Sequence, residues 1–193
     1  MTFAPRALLF ASVLLLGACA SDPPPNVFTL VALPATQSLP AGGSVISVEP
    51  VDIPRYLDRP QIVRYGTTYQ LEVSETARWG EPFGAMVTRV LIQDLSLRLP
   101  GAQIFTDGDA ASVPAQRVLE VSFTGFEPDP TNTIVLSARW VVRQANDRTV
   151  LSSDAAEIRT TARDATMAGL ASAMSDALAQ LSQRIASSLT IGF

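Results

Sequence analysis

The stretch Val118-Leu-Glu-Val-Ser-Phe-Thr-Gly-Phe126 gives the clearest prediction of the fold. Three apolar residues alternate with three polar ones there, namely Leu119, Val121 and Phe123 with Glu120, Ser122 and Thr124. Because successive side chains of a strand point to opposite faces, this alternation predicts a strand with one buried and one polar face.

Two more strands are predicted directly after this one. Residues 133–143 alternate with five members on one face: Ile134, Leu136, Ala138, Trp140 and Val142. Residues 149–160 form the third strand. Turns rich in Pro, Asp and Asn, at residues 127–130 and 146–147, separate the three strands, which indicates an antiparallel meander.

Amphipathic helices are predicted on either side of this meander. From residue 83 to 95, apolar residues recur at spacings of three and four, after Pro82 and before Pro100-Gly101. From residue 164 to 189 a longer stripe runs without a break: Met167, Leu170, Met174, Leu178, Leu181, Ile185 and Leu189. This stripe is interpreted as a core-facing surface in preference to a lipid groove.

Further short strands are predicted at residues 27–33, 44–51 and 102–105, with a hairpin of residues 61–65 and 68–73 around Gly66-Thr67. The fold class expected is α+β, a mostly antiparallel sheet with two amphipathic helices packed on one face. Residues 27–193 are expected to form a single domain.

The N-terminal residues are typical of a secreted, lipid-anchored protein. Residues 1–18 are predicted to be a signal peptide, with Arg6 before an apolar run of ten residues, which is too short to span a bilayer. Leu16-Gly17-Ala18-Cys19 matches the lipobox of bacterial lipoproteins, so Cys19 is the expected lipid anchor. Residues 19–26 are then the lipidated N-terminus and a Pro-rich tether. Ala20, in place of an aspartate, favours the periplasmic face of the outer membrane over the inner membrane.

The residue types that the sequence lacks exclude several classes of catalytic and metal-binding site. The chain has no histidine, all 14 basic residues are arginine, and its one cysteine is Cys19. His-based acid–base catalysis, Ser-His-Asp triads, lysine nucleophiles and His or Cys metal sites are therefore excluded. We expect no enzyme activity, no cofactor and no metal; Asp107-Gly108-Asp109 is interpreted as a turn. Without a basic tract, nucleic acid is not an expected partner.

Two motifs resemble a known family. Ile-Pro-Arg-Tyr-Leu-Asp-Arg-Pro-Gln-Ile-Val at residues 53–63 and Arg-Trp-Gly-Glu-Pro at residues 78–82 are similar to the signature of the ABC-type transport auxiliary lipoproteins, with departures at Gly80 and Phe83. The resemblance implies a non-enzymatic component that docks an MCE-domain protein and its ABC permease and ATPase complex. Such systems move phospholipids or other apolar molecules between the inner and outer membranes.

Alternatives remain for the function and for the motif. The chain could be a periplasmic carrier that encloses apolar cargo, or a carboxylate-based hydrolase. The motif could be a fold-stabilising corner, with Tyr56 and Leu57 packed inward and Asp58 bonded to backbone, or a partner or homo-oligomer interface. The interface candidates are Tyr56, Arg59, Arg78, Trp79 and Glu81. Trp79 and Trp140 are both interpreted as core residues.

Overall fold

A computed structural model describes residues 24–106 and 113–190. The signal peptide, Cys19 and the turn 107–109 lie outside the described residues. The elements in chain order are β1 (Asn26–Phe28), β2 (Val45–Val48), β3 (Gln61–Thr67), β4 (Gln70–Trp79), α1 (Phe83–Arg98), β5 (Gln103–Thr106), β6 (Arg117–Pro128), β7 (Thr133–Gln144), β8 (Val150–Thr161) and α2 (Met167–Leu189).

The predicted meander is confirmed. β6 pairs antiparallel with β7, and β7 with β8. All five residues expected on the inner face of β7 are buried. In β6 a shift in register between Phe123 and Gly125 changes the alternation, so both Phe123 and Phe126 enter the core and meet edge to face at 5.5 Å. The turn lies at Asp129 to Asn132, later than predicted, because β6 continues through Pro128.

The strands form two sheets instead of the single one expected. The larger has the order β5-β2-β6-β7-β8, and the smaller β1-β4-β3. The long pairings are antiparallel, whereas short β1 and β2 form parallel pairs with β4, β5 and β6. α2 packs on β7 and β8, and α1 packs on α2. The α+β class is confirmed.

The first predicted strand is wrong over most of its length. It ends at Phe28, and the backbone that follows bonds to helix side chains instead of a neighbouring strand. The N–H of Leu30 donates to Met86 Sδ (3.2 Å), that of Val31 to Ser175 Oγ (3.2 Å) and that of Leu33 to Asp94 Oδ1 (3.0 Å). These side chains satisfy N–H groups that would otherwise be left unpaired.

The β3–β4 hairpin is longer than predicted, and its turn is at Thr68-Tyr69 instead of Gly66-Thr67. Gly66 belongs to β3, where a side chain would collide with Glu72. β4 continues to Trp79, so the segment that was expected to open a helix first completes a strand.

α2 begins at Met167, three residues later than predicted, with Thr166 as its N-cap accepting from the Gly169 N–H (3.0 Å). The predicted apolar stripe is buried except for its first residue, which is half-buried. Its buried face is wider than the stripe because small residues beside it are also buried, including Ala177 and Ser175, whose hydroxyl accepts from the Val31 N–H. Within the described ranges, no helix is both long and apolar enough to cross a membrane.

Candidate partner-binding site

The two recognised motifs lie side by side. Trp79 donates its backbone N–H to the carbonyl of Pro60 at 2.7 Å, and Gln61 pairs with Arg78 in the β3–β4 ladder. Residues 58–60 and 79–82 line a surface pocket of about 320 Å³. We call residues 56–60 and 78–82 together the joined corner.

The inner side of the joined corner is anchored in the core. Leu57 is buried, and the half-buried Tyr56 donates its hydroxyl to Glu127 Oε1 at 3.1 Å. The other oxygen of Glu127 accepts from the Phe126 N–H at 2.6 Å. Burial raises the pKa of Glu127, although both hydrogen bonds oppose this. Burial and the nearby Glu127 carboxylate raise the pKa of Tyr56, so Tyr56 stays a neutral donor. Tyr56 therefore acts as a structural support.

Trp79 forms the floor of the pocket and is 7% exposed. Its ring stacks on Phe83 at 5.1 Å, and Phe83 in turn contacts Phe126 at 5.8 Å. Gly80 brings β1 close, because a Cβ there would lie 3.2 Å from Val27 Cγ1. The two departures from the family motif thus fit a tightly packed base under the joined corner.

The charged residues of the joined corner differ in their pairing. Glu81 is bound to Arg89 of α1 at 2.6 Å. Arg59 and Arg78 are exposed, and neither forms an ion pair within the part of the chain that the structure describes. Asp58 lies exposed at the pocket, and no bond from its carboxylate to backbone is found among the described residues, unlike in the fold-stabilising alternative. Arg59 and Arg78 therefore lie exposed and without an ion pair among the described residues, next to side chains that are fixed by hydrogen bonds and packing.

A wider groove of about 920 Å³ adjoins the pocket and shares Asp58 with it. It runs between α1 and the segment 50–55, whose Val51 N–H donates to Thr88 Oγ1 at 2.9 Å. Among the described residues, no three Asp, Glu, His or Cys side chains are grouped to hold a metal ion.

Two features were not predicted from the sequence. Glu127 was assigned to a turn, yet it is the buried acceptor for Tyr56; the acidic residue directly after the apolar Phe123–Phe126 pair was the available signal. The hairpin also leaves Tyr69, Leu71 and Val73 exposed. Alternation in residues 68–73 predicted a strand but not that its apolar face would extend past the core.

Two solved structures with TM-scores above 0.6 share this fold at low sequence identity. The crystal structure of an uncharacterized protein has a TM-score of 0.69 at 18% identity, covering 84% of this chain and 100% of that one. A Xanthomonas campestris protein of family DUF330 has a TM-score of 0.63 at 16% identity, with 83% and 92% covered. A PelC dodecamer from Paraburkholderia phytofirmans has a TM-score of 0.49 at 13% identity, with 80% and 92% covered.

No curated protein matches the sequence. The family model for the ABC-type transport auxiliary lipoprotein component matches residues 28–186, which include both motifs, α1, all but the last three residues of α2 and every strand but the start of β1. The chain therefore belongs to the family of ABC-type transport auxiliary lipoprotein components.

Proposed function

We propose that this protein is a non-enzymatic docking subunit of an MCE-type ABC transport system, anchored by a lipid on Cys19 to the periplasmic face of the outer membrane. The system would move phospholipids or other apolar molecules between the two membranes. Family membership supports a transporter partner, and the lipobox supports the anchor.

The observation that carries the docking role is the contrast within the joined corner. Tyr56, Trp79 and Glu81 are held by Glu127, Phe83 and Arg89, whereas Arg59 and Arg78 extend from this rigid base. Arginine and aromatic residues on a preorganised surface are typical of binding hot spots. A carboxylate-bearing surface of the MCE-domain protein is the complement that we infer.

A carrier that encloses apolar cargo would need a large interior cavity. The space between α2 and the larger sheet is instead occupied by side chains such as Leu178, Leu181 and Trp140, all at most 1% exposed. This packing favours the docking role.

The test compares binding and stability on the same variants. Arg59→Ala and Arg78→Ala should leave the free energy of unfolding within about 1 kcal/mol of wild type, because exposed charges contribute little. Each should weaken binding to the purified MCE-domain protein by roughly 1.4 kcal/mol, which is a tenfold rise in Kd. Titration calorimetry and urea unfolding measure the two quantities.

Arg184→Ala is the matched control, since Arg184 is an exposed arginine on α2 away from the joined corner. Arg139→Ala tests the exposed face of the meander, around Arg139 and Arg143, as a competing surface. Equal losses of binding and stability at Arg59 and Arg78 would make the joined corner purely structural. A loss of binding confined to Arg139→Ala would move the interface to the meander.

A further inference from the structure

The outer half of the β3–β4 hairpin extends beyond the core with apolar side chains uncovered. Tyr69 is 98% exposed, and Leu71 and Val73 are 37% and 41% exposed. Leu71 and Val73 pair with Tyr65 and Val63 of β3, and a register shift separates them from the buried Ala77 and Trp79. Within the described residues, β1 covers the edge of β4 only from Ala77 to Trp79. The remainder of β4 leaves an open strand edge, where Leu71 and Val73 are the exposed apolar side chains.

The end of this hairpin, residues 65–71, has the sequence Tyr-Gly-Thr-Thr-Tyr-Gln-Leu and carries no charge. We call it the hairpin tip. It holds two of the chain's three tyrosines: Tyr69 is exposed, whereas Tyr65 is half-buried and its side chain interacts with that of Tyr56. The ring of Tyr69 is apolar and its hydroxyl is open to water, as the headgroup region of a membrane favours. The charges that flank it, Arg64 and Glu72, lie 3.8 Å apart and offset each other. The hairpin tip can therefore enter an interfacial layer without desolvating an unpaired charge.

The position of β1 relates this tip to the N-terminus. β1 runs parallel to β4 with Asn26 beside Ala77, so the N-terminal end of β1 points toward the hairpin tip. Cys19 precedes Asn26 by seven residues, and Gln70, in the hairpin tip, precedes Ala77 by the same seven. Seven residues reach at most about 25 Å, and the β4 segment spans less than about 23 Å because register shifts shorten it. A lipid on Cys19 can thus enter the bilayer level with the hairpin tip.

We propose that the hairpin tip contacts the membrane in which the lipid on Cys19 is embedded, with Tyr69 and Leu71 in the interfacial layer. The acyl chains supply the affinity, and the tip sets the orientation of the domain. β4 then leads from the membrane to the joined corner at its other end, about 20 Å away along the paired strand β3. Arg59 and Arg78 would face the periplasm, where a transporter partner can reach them. Because the anchor at Cys19 belongs to the proposed function, this contact stands only if that anchor does.

An exposed indole placed at the tip tests the contact directly. The native Trp79 and Trp140 are 7% and 1% exposed, so Tyr69→Trp adds an indole whose emission responds to the surroundings of the tip. The lipidated full-length variant is bound to phosphatidylcholine vesicles with and without brominated acyl chains. Wild-type protein supplies the background from the two native tryptophans.

Val150→Trp is the matched control. Val150 is 51% exposed and begins β8, at the far end from the turn whose Asn132 accepts a hydrogen bond from Arg64 of the hairpin (3.3 Å). Thr161, the last residue of β8, pairs with Thr133 beside that turn. The length of β8 therefore separates Val150 from the hairpin side by about 36 Å.

On vesicles, the emission of the Tyr69→Trp variant should shift to shorter wavelength and be quenched by brominated lipid, while the Val150→Trp variant changes in neither respect. Iodide in solution quenches indoles that remain in water. Equal quenching by iodide of the two introduced indoles on vesicle-bound protein would overturn the proposed contact. The same indole can be placed in unlipidated Cys19→Ala protein without vesicles. If its quenching by iodide decreases as the protein concentration rises, a second copy of the chain covers the hairpin tip. Protection that requires added MCE-domain protein would assign it to that partner.

Intact mass and vesicle flotation separate the two proposals. A chain without acyl groups that does not float overturns the anchor and, with it, the membrane contact. A lipidated chain that floats while its tip remains open to iodide overturns the contact alone and leaves the proposed function standing.

Discussion

Glu127 is a carboxylate placed where the protein partly excludes water, with two hydrogen-bond donors, the Tyr56 hydroxyl and the Phe126 N–H. Burial disfavours its charged form more than these donors favour it, so its pKa lies above the ordinary value of 4.5. The folded state therefore binds this proton more tightly than the unfolded chain does. Glu127 contributes stability below pH 4.5 that is lost as the pH rises through the raised pKa.

We therefore predict a change in pH dependence for Glu127→Gln, which cannot ionise. Relative to wild type, the free energy of unfolding of the variant should increase as the pH rises from below 4.5 toward neutrality. Urea unfolding at a series of pH values measures this difference. A constant offset across the series would show that Glu127 titrates in the folded protein as it does in the unfolded chain.

Asp129→Asn is the control of opposite sign. Burial alone would raise the pKa of Asp129, but hydrogen bonds from Thr131 and Thr133 bring it below the ordinary value of 3.8. Its contribution is therefore present above pH 3.8 and is lost as the pH falls through the lowered pKa. The loss in free energy of unfolding caused by Asp129→Asn, relative to wild type, should therefore become smaller as the pH falls.

Asp94 and Arg98 form an ion pair inside α1, with side chains 0% and 3% exposed and 3.0 Å between Oδ1 and Nη1. Asp94 also accepts the Leu33 N–H, so the pair fixes the irregular segment after β1 as well as the helix. Desolvating two charges offsets much of their attraction. We infer that the main role of this ion pair is to position residues 30–33 against α1.

At the scale of elements, α2 connects the parts of the core. One side lies on β7 and β8, and another contacts α1. Ser182 lies toward α1, with its hydroxyl 3.5 Å from Asp94 Oδ2, and small residues such as Ala177 and large ones such as Leu178 are buried along the helix. This explains why its buried face is wider than a single stripe.

Replacing Leu178 tests this packing. Leu178 is 0% exposed, and Leu178→Ala should lower the free energy of unfolding by about 2–5 kcal/mol, through lost burial and the cavity that remains. Leu97→Ala in α1 is the matched control: Leu97 is 47% exposed, and its change should stay within about 0.5 kcal/mol. Urea unfolding compares the midpoints. Similar losses at both sites would contradict the central position of α2.

At the scale of the whole molecule, the two proposals give attachment and orientation different causes. The proposed lipid would keep the protein at a membrane, because each buried CH₂ adds about 0.8 kcal/mol. The hairpin tip and the joined corner lie at opposite ends of β4, so one strand would relate the membrane to the docking surface.

Cys19→Ala should release the protein from the membrane fraction into the periplasm, and intact mass of wild type should show acyl groups on a chain that begins at Cys19. Ala20→Asp is the companion variant: it should remain lipidated but distribute to the inner membrane. A mature wild-type chain with a free thiol would refute the anchor. Retention of Cys19→Ala in membranes would show that another contact suffices.

Local periodicity determined much of this protein. The strands of the meander, both helices and the apolar stripe of α2 follow from spacings of two, three and four residues, which fix the buried face of an element before its neighbours are known. The two motifs of the joined corner were likewise readable, and they led to the family that residues 28–186 match.

Long-range contacts decided the rest. Residues 30–33 are apolar enough for a strand, but they lie against helices whose side chains accept their N–H groups. Glu127 is buried because a register shift in β6 turns it toward Tyr56, 71 residues earlier in the chain. The exposure of Leu71 and Val73 depends on where the core ends, and the separation of the strands into two sheets depends on which edges meet. Pairing and burial between distant residues are set by the packing of the whole chain, and neighbouring residues carry no periodic signal for them.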